Sequence, residues 1–416
     1  MEYGLIGEKL KHSFSKEIHE RIGKYEYELA ELSKDEFNTF MLNKNFKAIN
    51  VTIPYKQEVI KYLDYISDEA KKINAVNTIV NKNGKLYGYN TDYLGFKEML
   101  NHFNIDVTDK NVMILGTGGT ANTVSQLVKD LNAKSITFVS RNAKENVITY
   151  ENVKDYSKEI DVLINTTPVE MYPNNERQIL NSLEGFNNLK GVVDVIYNPL
   201  RTNLTLKAKE ASVASCNGLF MLIAQAFYAI EIFLDVKLSK QIIVSLYEEI
   251  LRKKENIVLI GMPGCGKTTV GRKLANSTNL RFVDVDEEII KVINMPIKDY
   301  FEKYGEETFR DIESQVIKEV SKSTNCVIST GGGSILRKEN INALKQNGTI
   351  YFLDRDINKL VTTSSRPLSS NYDDLKKRYD ERYHIYRSAS DVRINANAPK
   401  FAVVNKILSH KIAGGK

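Results

Sequence analysis

Two glycine-rich turns in the sequence are suited to binding phosphate groups. They are GTGGTA at residues 116–121 and GMPGCGKT at residues 261–268. Each follows a short β-branched run and precedes a helical pattern, so backbone N–H groups at a helix N-terminus would face a bound phosphate. The sequence therefore predicts two nucleotide sites in one chain.

The first turn has the GxGxxA spacing of dinucleotide-binding proteins, carried by Gly116, Gly118 and Ala121. Taken alone, this spacing also suits an ordinary tight turn between a strand and a helix.

The residues after the next strand pattern bear on the choice of cofactor. SITFVS ends at Ser140 and is followed by Arg141 and Asn142. An NAD site usually carries an acid here for the ribose hydroxyls, whereas a guanidinium suits the 2′-phosphate of NADP. We therefore expect NADP, although Glu145 nearby adds an opposing charge.

Lys56 and Asp92 are candidates for handling a proton in the same half of the chain. Reducing a carbonyl by hydride transfer needs a proton delivered to the oxygen, and a lysine beside a carboxylate can supply it. An ion pair on the protein surface is the alternative interpretation.

The second turn satisfies the GxxxxGK[ST] pattern, which is a strong signal for nucleotide binding. Lys267 would reach the outer phosphates and Thr268 would bind Mg²⁺. Asp284 and Asp286 follow on one face of a predicted strand end, so one could face the metal while the other accepts a hydroxyl proton. A solvated strand terminus is the alternative for these two carboxylates.

Arginines and glycines further along the chain suit a small anionic substrate. Two of Arg310, Arg366 and Arg382 could clamp one carboxylate, and the glycines at 331–333 would let a ring approach the backbone. Each arginine, taken singly, also suits a surface position.

Residues 1 to about 250 resemble the shikimate dehydrogenase family, whose motifs occur here in the family's order. The matching segments are HSFS at 12–15, NVTIPYK at 50–56, AVNT at 75–78, YNTD at 89–92, DVIYNP at 194–199 and GLFMLIAQ at 218–225. By this resemblance, Lys56 and Asp92 form the catalytic pair. The implied substrate-binding residues are Ser13, Ser15, Thr52, Lys56, Asn77, Asp92, Tyr197 and Gln225. The implied NADP-binding residues are Gly116, Gly118, Gly119, Thr120, Ala121, Ser140, Arg141, Asn142, Thr166 and Gly218.

This half departs from the family pattern at two places. Glu170 stands where glycine is usual, and Ser140, Arg141 and Asn142 replace an NRT-like triplet. Quinate is an alternative substrate within the same chemistry, but Ser15, where a bulkier hydroxyl residue would be expected, argues against it.

Residues from about 255 to the end resemble the shikimate kinase family, through its order of phosphate loop, DxD, GExxFRxxE, TGGG, RPL and RxxxY. The resemblance makes Asp286 the base or orienter of the acceptor hydroxyl, and Lys267 and Arg366 catalytic residues at the transferred phosphoryl group. The implied ATP-binding residues are Gly264, Cys265, Gly266, Lys267, Thr268, Thr269 and Arg366. Shikimate is assigned to Asp286, Arg310, Gly332, Gly333 and Arg382, and the metal to Thr268 and Asp284.

This half also departs from its family. The segment before Arg366 is shorter than usual and lacks the arginine often found beside the adenine. Cys265 replaces a small residue within the phosphate loop, where we interpret it as filling space.

The elements that must position these residues follow from length and pattern. A chain of 416 residues predicts two or three domains. Strand and helix patterns alternate on both sides of each glycine turn, which predicts an α/β fold: a two-lobed unit with a Rossmann-type lobe, followed by a P-loop domain. We place the substrate lobe at 1–96, completed by 218–252, the NADP lobe at 97–217 and the kinase domain at 255–416.

Composition excludes several other classes of protein. Apolar residues at 42% and charged residues at 26% are ordinary for a globular chain, and a net charge of +6 spread over it argues against a nucleic-acid partner. Cys216, Cys265 and Cys326 lack disulfide or zinc spacing, which favours the cytoplasm. The apolar stretch 218–234 contains Gln225 and Glu231 and is shorter than the ~20 apolar residues of a membrane span, so it predicts a buried helix.

The two halves together predict one bifunctional enzyme. The first half would reduce 3-dehydroshikimate with NADPH, and the second would phosphorylate the resulting shikimate with ATP and Mg²⁺. The alternative from another class is a ligand-binding or regulatory protein in which one half has lost catalysis. The partners of the bifunctional enzyme are expected to be small molecules, with no nucleic acid and no membrane.

Overall fold

Two compact units make up the chain, which we describe from a computed structural model over residues 1–10, 14–173, 175, 177–360 and 372–412. The first unit comprises Met1–Met171, Glu176–Tyr197 and Lys207–Tyr247. The second comprises Tyr172–Asn175, Asn198–Leu206 and Glu248–Lys416.

The first sheet is mixed and belongs to the first unit. Its strands are β1 (Tyr3–Gly7), β2 (Glu28–Glu31), β3 (Ala48–Val51), β4 (Tyr65–Ile66), β5 (Thr78–Lys82) and β6 (Lys85–Tyr89), in the order β2-β1-β3-β5-β6-β4. The helices of this stretch are α1 (Phe14–Gly23), α2 (Lys34–Asn43), α3 (Asp68–Ile73) and α4 (Thr91–His102). Antiparallel pairing joins β5 to both β3 and β6. The pairing with β3 places the first residue of NVTIPYK, Asn50, opposite the last residue of AVNT, Thr78.

The second sheet is entirely parallel and follows the first in the chain. Its strands are β7 (Asn111–Leu115), β8 (Ser135–Ser140), β9 (Val147–Thr149), β10 (Val162–Asn165), β11 (Gly191–Asp194) and β12 (Ala214–Cys216), in the order β12-β11-β10-β7-β8-β9. The helices of this stretch are α5 (Gly119–Asp130), α6 (Val153–Tyr156) and α7 (Asn203–Glu210). The GTGGTA turn connects β7 to α5, as the sequence predicts.

Two further helices follow β12. Helix α8 (Leu219–Leu234) confirms the prediction of a buried helix, because most of its side chains are buried. It packs against α4 so closely that a β-carbon on Gly95 would lie 2.8 Å from the carbonyl oxygen of Met221 and 2.9 Å from the backbone nitrogen of Gln225. The close approach fixes Gln225 relative to α4. Helix α9 (Gln241–Lys254) runs through the charged segment that we chose as the domain junction.

The third sheet belongs to the second unit and is parallel throughout. Its strands are β13 (Asn256–Ile260), β14 (Arg281–Asp284), β15 (Cys326–Ser329), β16 (Gly348–Asp354) and β17 (Val392–Asn395), in the order β14-β15-β13-β16-β17. Its helices are α10 (Lys267–Thr278), α11 (Val285–Ile293), α12 (Ile297–Tyr304), α13 (Glu306–Ser321), α14 (Lys338–Asn347), α15 (Tyr372–Ala389) and α16 (Lys400–Ile412). Strand β13 lies at the centre and is buried at every position, so the phosphate loop after it starts from a rigid support.

These sheets confirm the α/β fold class. Within the described ranges, no helix is long and apolar enough to cross a lipid bilayer.

Candidate functional site

A cavity of about 740 Å³ lies in the first unit and is bordered by residues of the first sheet, of the GTGGTA turn and of helices α5 and α8. The sequence-predicted residues that line it are Ser15, Thr52, Lys56, Asn77, Asp92, Gly118, Gly119, Thr120, Tyr197, Gly218 and Gln225. Those predicted residues that do not line it are Gly116, Ala121, Ser140, Arg141, Asn142 and Thr166. Ser13 lies outside the described residues. The fold thus gathers most of the predicted substrate residues with the middle of the predicted cofactor turn.

Lys56 and Asp92 meet at this cavity although they are far apart in sequence. The Lys56 Nζ donates to Oδ2 of Asp92 over 2.7 Å. Asp92 lies in the first turn of α4, whose N-cap is Asn90, and Lys56 follows β3. The relative solvent exposure of the two side chains is 30% for Lys56 and 21% for Asp92. The pair is therefore half-buried at the cavity wall and does not lie free on the surface.

Asn77 is fixed by a network of buried hydrogen bonds. Its Oδ1 accepts from the Thr91 backbone N–H at 2.7 Å and from the Thr78 hydroxyl at 3.0 Å. Asn50 donates from Nδ2 to the Asn77 carbonyl oxygen at 3.1 Å, and its own Oδ1 accepts from the Tyr27 hydroxyl at 2.7 Å. Because these bonds also hold the start of α4, the network sets the position of Asp92.

Asn50 also lines the cavity and was not predicted as a site residue from the sequence. The available signal was its place as the first residue of NVTIPYK, the motif that supplied Thr52 and Lys56.

The wall formed by Tyr197 and Gly218 depends on a close backbone contact. A β-carbon on Gly218 would clash with the carbonyl oxygen of Val195, so only glycine fits there without a shift. Burial raises the pKa of the Tyr197 phenol, which therefore stays neutral, and its ring meets Phe14 edge-on with centroids 6.1 Å apart. We infer a rigid, largely uncharged wall at this side of the cavity.

Two predicted cofactor positions, Thr166 and Arg141, do not line the cavity. Thr166 donates from its hydroxyl to the Leu115 carbonyl oxygen at 2.7 Å, which ties β10 to the end of β7. Arg141 follows the carboxyl end of β8, next to the β7–α5 turn in strand order but outside the cavity lining.

Glu170 has an unusual backbone conformation for its residue type. Its φ is +78°, in the left-handed region that favours glycine. Its side chain is fully buried, at 0% exposure, and Oε1 accepts from the Ile179 backbone N–H at 2.9 Å. The position where glycine was expected therefore keeps a glycine-like conformation, and the buried hydrogen bond supports it.

A second cavity, of about 520 Å³, lies in the second unit. The sequence-predicted residues that line it are Gly264, Gly266, Lys267, Thr268, Thr269, Asp284, Asp286, Arg310, Gly332, Gly333 and Arg382. Arg366 lies outside the described residues. Cys265 does not line the cavity, and its side chain is 2% exposed within the hydrophobic core, in accord with a space-filling role. Arg355, Arg378 and Lys400 line the cavity without having been predicted, since none belongs to a recognisable motif.

The side chain of Lys267 is hydrogen-bonded to the backbone of its own phosphate loop. Lys267 Nζ donates to the carbonyl oxygens of Gly261 at 2.7 Å and Met262 at 3.3 Å. The Thr268 hydroxyl donates to Oδ2 of Asp284 at 2.9 Å. A lysine, a hydroxyl and a carboxylate thus lie together at the N-terminus of α10.

The expectation that Asp284 and Asp286 share one face of a strand end was wrong. Asp284 ends β14, but Asp286 is already in the first turn of α11. Asp284 Oδ1 caps this helix by accepting from the Asp286 backbone N–H at 3.1 Å. Because the carboxylate of Asp284 caps a helix that begins directly after the strand, the alternation of side chains between the two faces of a strand does not extend to Asp286.

Asp286, Arg310 and Arg382 are among the side chains that surround the glycines at 331–333. A β-carbon on Gly331 would lie 2.8 Å from Oδ1 of Asp286, and one on Gly333 would clash with the Arg310 guanidinium. Arg382 donates from Nη1 to the Gly332 carbonyl oxygen at 3.2 Å. A carboxylate and two guanidinium groups therefore converge on a backbone with no side chains of its own, which suits a small hydroxylated acid.

Two carboxylates, the buried Glu313 and the exposed Glu306, hold Arg310 in place. Its Nη1 donates to Oε2 of Glu313 at 2.6 Å and its Nη2 to Oε1 of Glu306 at 2.9 Å. Glu313 is 1% exposed and also accepts from the Ser334 hydroxyl at 2.7 Å. Burial by itself would lower the pKa of Arg310, but Glu313 and Glu306 raise it overall, so the guanidinium stays charged.

Comparisons with known proteins agree with this geometry. A model of the shikimate dehydrogenase substrate binding domain matches residues 5–79, and a model of shikimate kinase matches residues 263–411. A shikimate dehydrogenase (NADP(+)) of Clostridium beijerinckii is 42% identical over 262 residues, which cover 59% of this chain and 96% of that protein.

Solved structures resemble the same part of the chain. A chorismate mutase/shikimate 5-dehydrogenase fusion protein from Clostridium acetobutylicum has 38% identity and a TM-score of 0.56, covering 60% of this chain and 96% of its own. A shikimate dehydrogenase in complex with NADP+ has 30% identity and a TM-score of 0.53, covering 60% of this chain and 94% of its own.

Proposed function

This chain belongs to the shikimate dehydrogenase family and carries a shikimate kinase domain over residues 263–411, and from this premise we propose that it catalyses two consecutive reactions. The first reaction, in the first cavity, is the reduction of 3-dehydroshikimate to shikimate by NADPH. The second reaction, in the second cavity, is the phosphorylation of the 3-hydroxyl of shikimate by ATP.

The half-buried Lys56–Asp92 pair at the cavity is the observation that supports the first reaction. NADPH, when bound, supplies the hydride to the carbonyl carbon of the substrate. Lys56 donates a proton to the carbonyl oxygen, and Asp92 keeps the ammonium group oriented toward it. Ser15, Thr52, Asn77 and Gln225 line the same cavity and hold the substrate's hydroxyl and carboxylate groups by short polar contacts.

The cofactor of the first reaction fits the residues at the glycine turn. Three residues at the start of α5 line the cavity: Gly118, Gly119 and Thr120. Backbone N–H groups at this helix start would face the pyrophosphate. Arg141, at the end of the neighbouring strand β8, would meet the 2′-phosphate that distinguishes NADP from NAD.

The second reaction is supported by the convergence of Asp286, Arg310 and Arg382 on the glycine segment. Asp286 orients the shikimate hydroxyl and accepts its proton, while the two arginines bind the carboxylate. Lys267 lies beside the outer phosphates of ATP and neutralises the charge that develops during transfer.

A magnesium ion fits the oxygen donors at the phosphate loop. Thr268 and Asp284 place a hydroxyl and a carboxylate oxygen 2.9 Å apart at the start of α10. Mg²⁺ is usually held by one or two such groups together with substrate phosphates and water. These two residues would hold the ion, which neutralises phosphate charge when bound.

A coupled assay on the full chain tests the proposal. Given 3-dehydroshikimate, NADPH and ATP with Mg²⁺, the protein should consume NADPH and form shikimate 3-phosphate. Lys56→Met should block both steps from 3-dehydroshikimate, but it should leave phosphorylation of added shikimate intact. Asp286→Asn should stop the pathway at shikimate. If either wild-type half binds its ligands without turnover, the regulatory alternative replaces this proposal for that half.

A further inference from the structure

Arg355 is a charged residue of the second cavity that has no role in the proposed function. It follows the end of β16 and lines the cavity beside the phosphate loop. Its Nη1 lies 3.9 Å from the position of a β-carbon built on Gly266. Its Nε is buried and has no hydrogen-bond partner in the described part of the chain. A buried guanidinium N–H without a partner is costly, so a ligand that accepts from it would be favoured.

The backbone on both sides of Arg355 is held firmly. The Asp354 carbonyl oxygen accepts from the Ala396 N–H at 2.7 Å, and the Asp356 N–H donates to Oδ1 of Asn397 at 3.0 Å. These contacts fix the direction in which the Arg355 side chain leaves the strand. The residue is therefore positioned by the sheet rather than by a free loop.

The neighbouring carboxylate does not neutralise Arg355. Asp354 Oδ2 is bonded to Nε of Arg393 at 2.6 Å and accepts from the Tyr383 hydroxyl at 3.2 Å. Among the residues that the structure describes, no carboxylate forms an ion pair with Arg355. Its positive charge thus stays available at the wall of the cavity.

We propose that Arg355 binds the α- and β-phosphates of the nucleotide, an inference that rests on the proposed kinase function. Gly266 belongs to the loop whose backbone N–H groups cradle these phosphates, and Arg355 is next to it. A guanidinium can donate two parallel hydrogen bonds to one phosphate, which an adenine ring would not accept in the same way. Lys267 provides charge at the outer phosphates, and Arg355 provides it at the inner ones.

Calorimetric titration of the full chain tests the proposal, with ADP and with inorganic tripolyphosphate as probes. Arg355→Met should weaken the binding of both by about 10- to 100-fold, the loss expected for a hydrogen bond to a charged group. Arg355→Lys, which keeps the charge but not the fork, should lose less. Lys359→Met removes an exposed charge close by and should change neither constant. Shikimate affinity should be unchanged in every variant, which shows that the cavity is folded.

The outcomes separate this inference from the proposed function. If the wild-type chain binds no ADP, the kinase function itself fails. If it binds ADP and Arg355→Met binds ADP and tripolyphosphate equally well, the role of Arg355 is wrong. If only ADP binding weakens, Arg355 contacts the nucleoside and the phosphate assignment is overturned.

Discussion

Replacing Lys56 by methionine should separate catalysis from binding in the first cavity. Methionine keeps an unbranched chain of similar length but removes the proton donor that lies 2.7 Å from Asp92. Loss of a positioned general acid typically costs 10²- to 10⁴-fold in rate, or about 3–5.5 kcal/mol of transition-state stabilisation. We expect this loss in kcat for NADPH-dependent reduction.

The effect on stability should be much smaller, for reasons visible in the structure. Lys56 and Asp92 retain 30% and 21% exposure, so water can hydrate the carboxylate once its partner is gone. Partly exposed ion pairs contribute about 0–1 kcal/mol. The KM for 3-dehydroshikimate should change little, because Ser15, Asn77 and Gln225 still line the cavity.

The assay follows NADPH absorbance under saturating substrate and compares three proteins. Lys61→Met, which removes an exposed lysine outside the cavity, is the matched control and should behave as wild type. The kinase rate of each preparation, measured with added shikimate, reports on the intact second unit. If Lys56→Met retains kcat within about threefold of wild type while it binds substrate normally, Lys56 is not the proton donor.

Four other outcomes are expected. Asp286→Asn should lower the kinase kcat by about 10²-fold or more while ADP binding, measured by calorimetry, is unchanged; weaker ADP binding would point to a metal role instead. Chelating Mg²⁺ should stop phosphorylation and leave NADPH oxidation unaffected, and equal loss of both rates would contradict the assignment of the metal to the second cavity. Gly218→Ala should raise the KM for NADPH and lower stability by about 1–3 kcal/mol in urea unfolding, because its β-carbon would press on the Val195 carbonyl; an unperturbed midpoint would show that the wall is not rigid. Burial lowers the pKa of His19 to about 3 from an ordinary 6.5, so the unfolded state binds the extra proton between these values and stability falls as the pH drops below 6.5. From pH 6.5 to 5.5, wild type should lose about 1 kcal/mol more than His19→Leu, measured by urea midpoints, and parallel pH profiles would contradict this origin.

Glu170 shows that the fold can override the conformational preference of a single residue. The sequence shows a large acidic residue where a glycine is usual, which casts doubt on the conformation of the loop. In the structure the backbone adopts a φ of +78° all the same, and the carboxylate accepts from Ile179. Hydrogen bonding elsewhere in the fold offsets a local preference of about 1–2 kcal/mol, which sequence alone does not reveal.

Contiguous features of the sequence were sufficient to predict the local parts of both sites. The two glycine turns, the strands before them and the buried helix Leu219–Leu234 were all predicted, because backbone geometry and hydrophobic pattern are properties of a continuous segment. The same holds for the α/β class, which follows from the alternation of such segments.

The convergence of side chains was decided only in three dimensions. Strand order and helix packing bring Lys56 to Asp92, Asp286 to Gly331 and Arg355 to the phosphate loop. Asp284 shows the same dependence, since its role as a helix cap moves Asp286 off the predicted strand. Amino-acid types disclose which chemistry is available, but distances between remote residues arise from how sheets and helices pack, and that packing reflects the whole fold rather than any one segment.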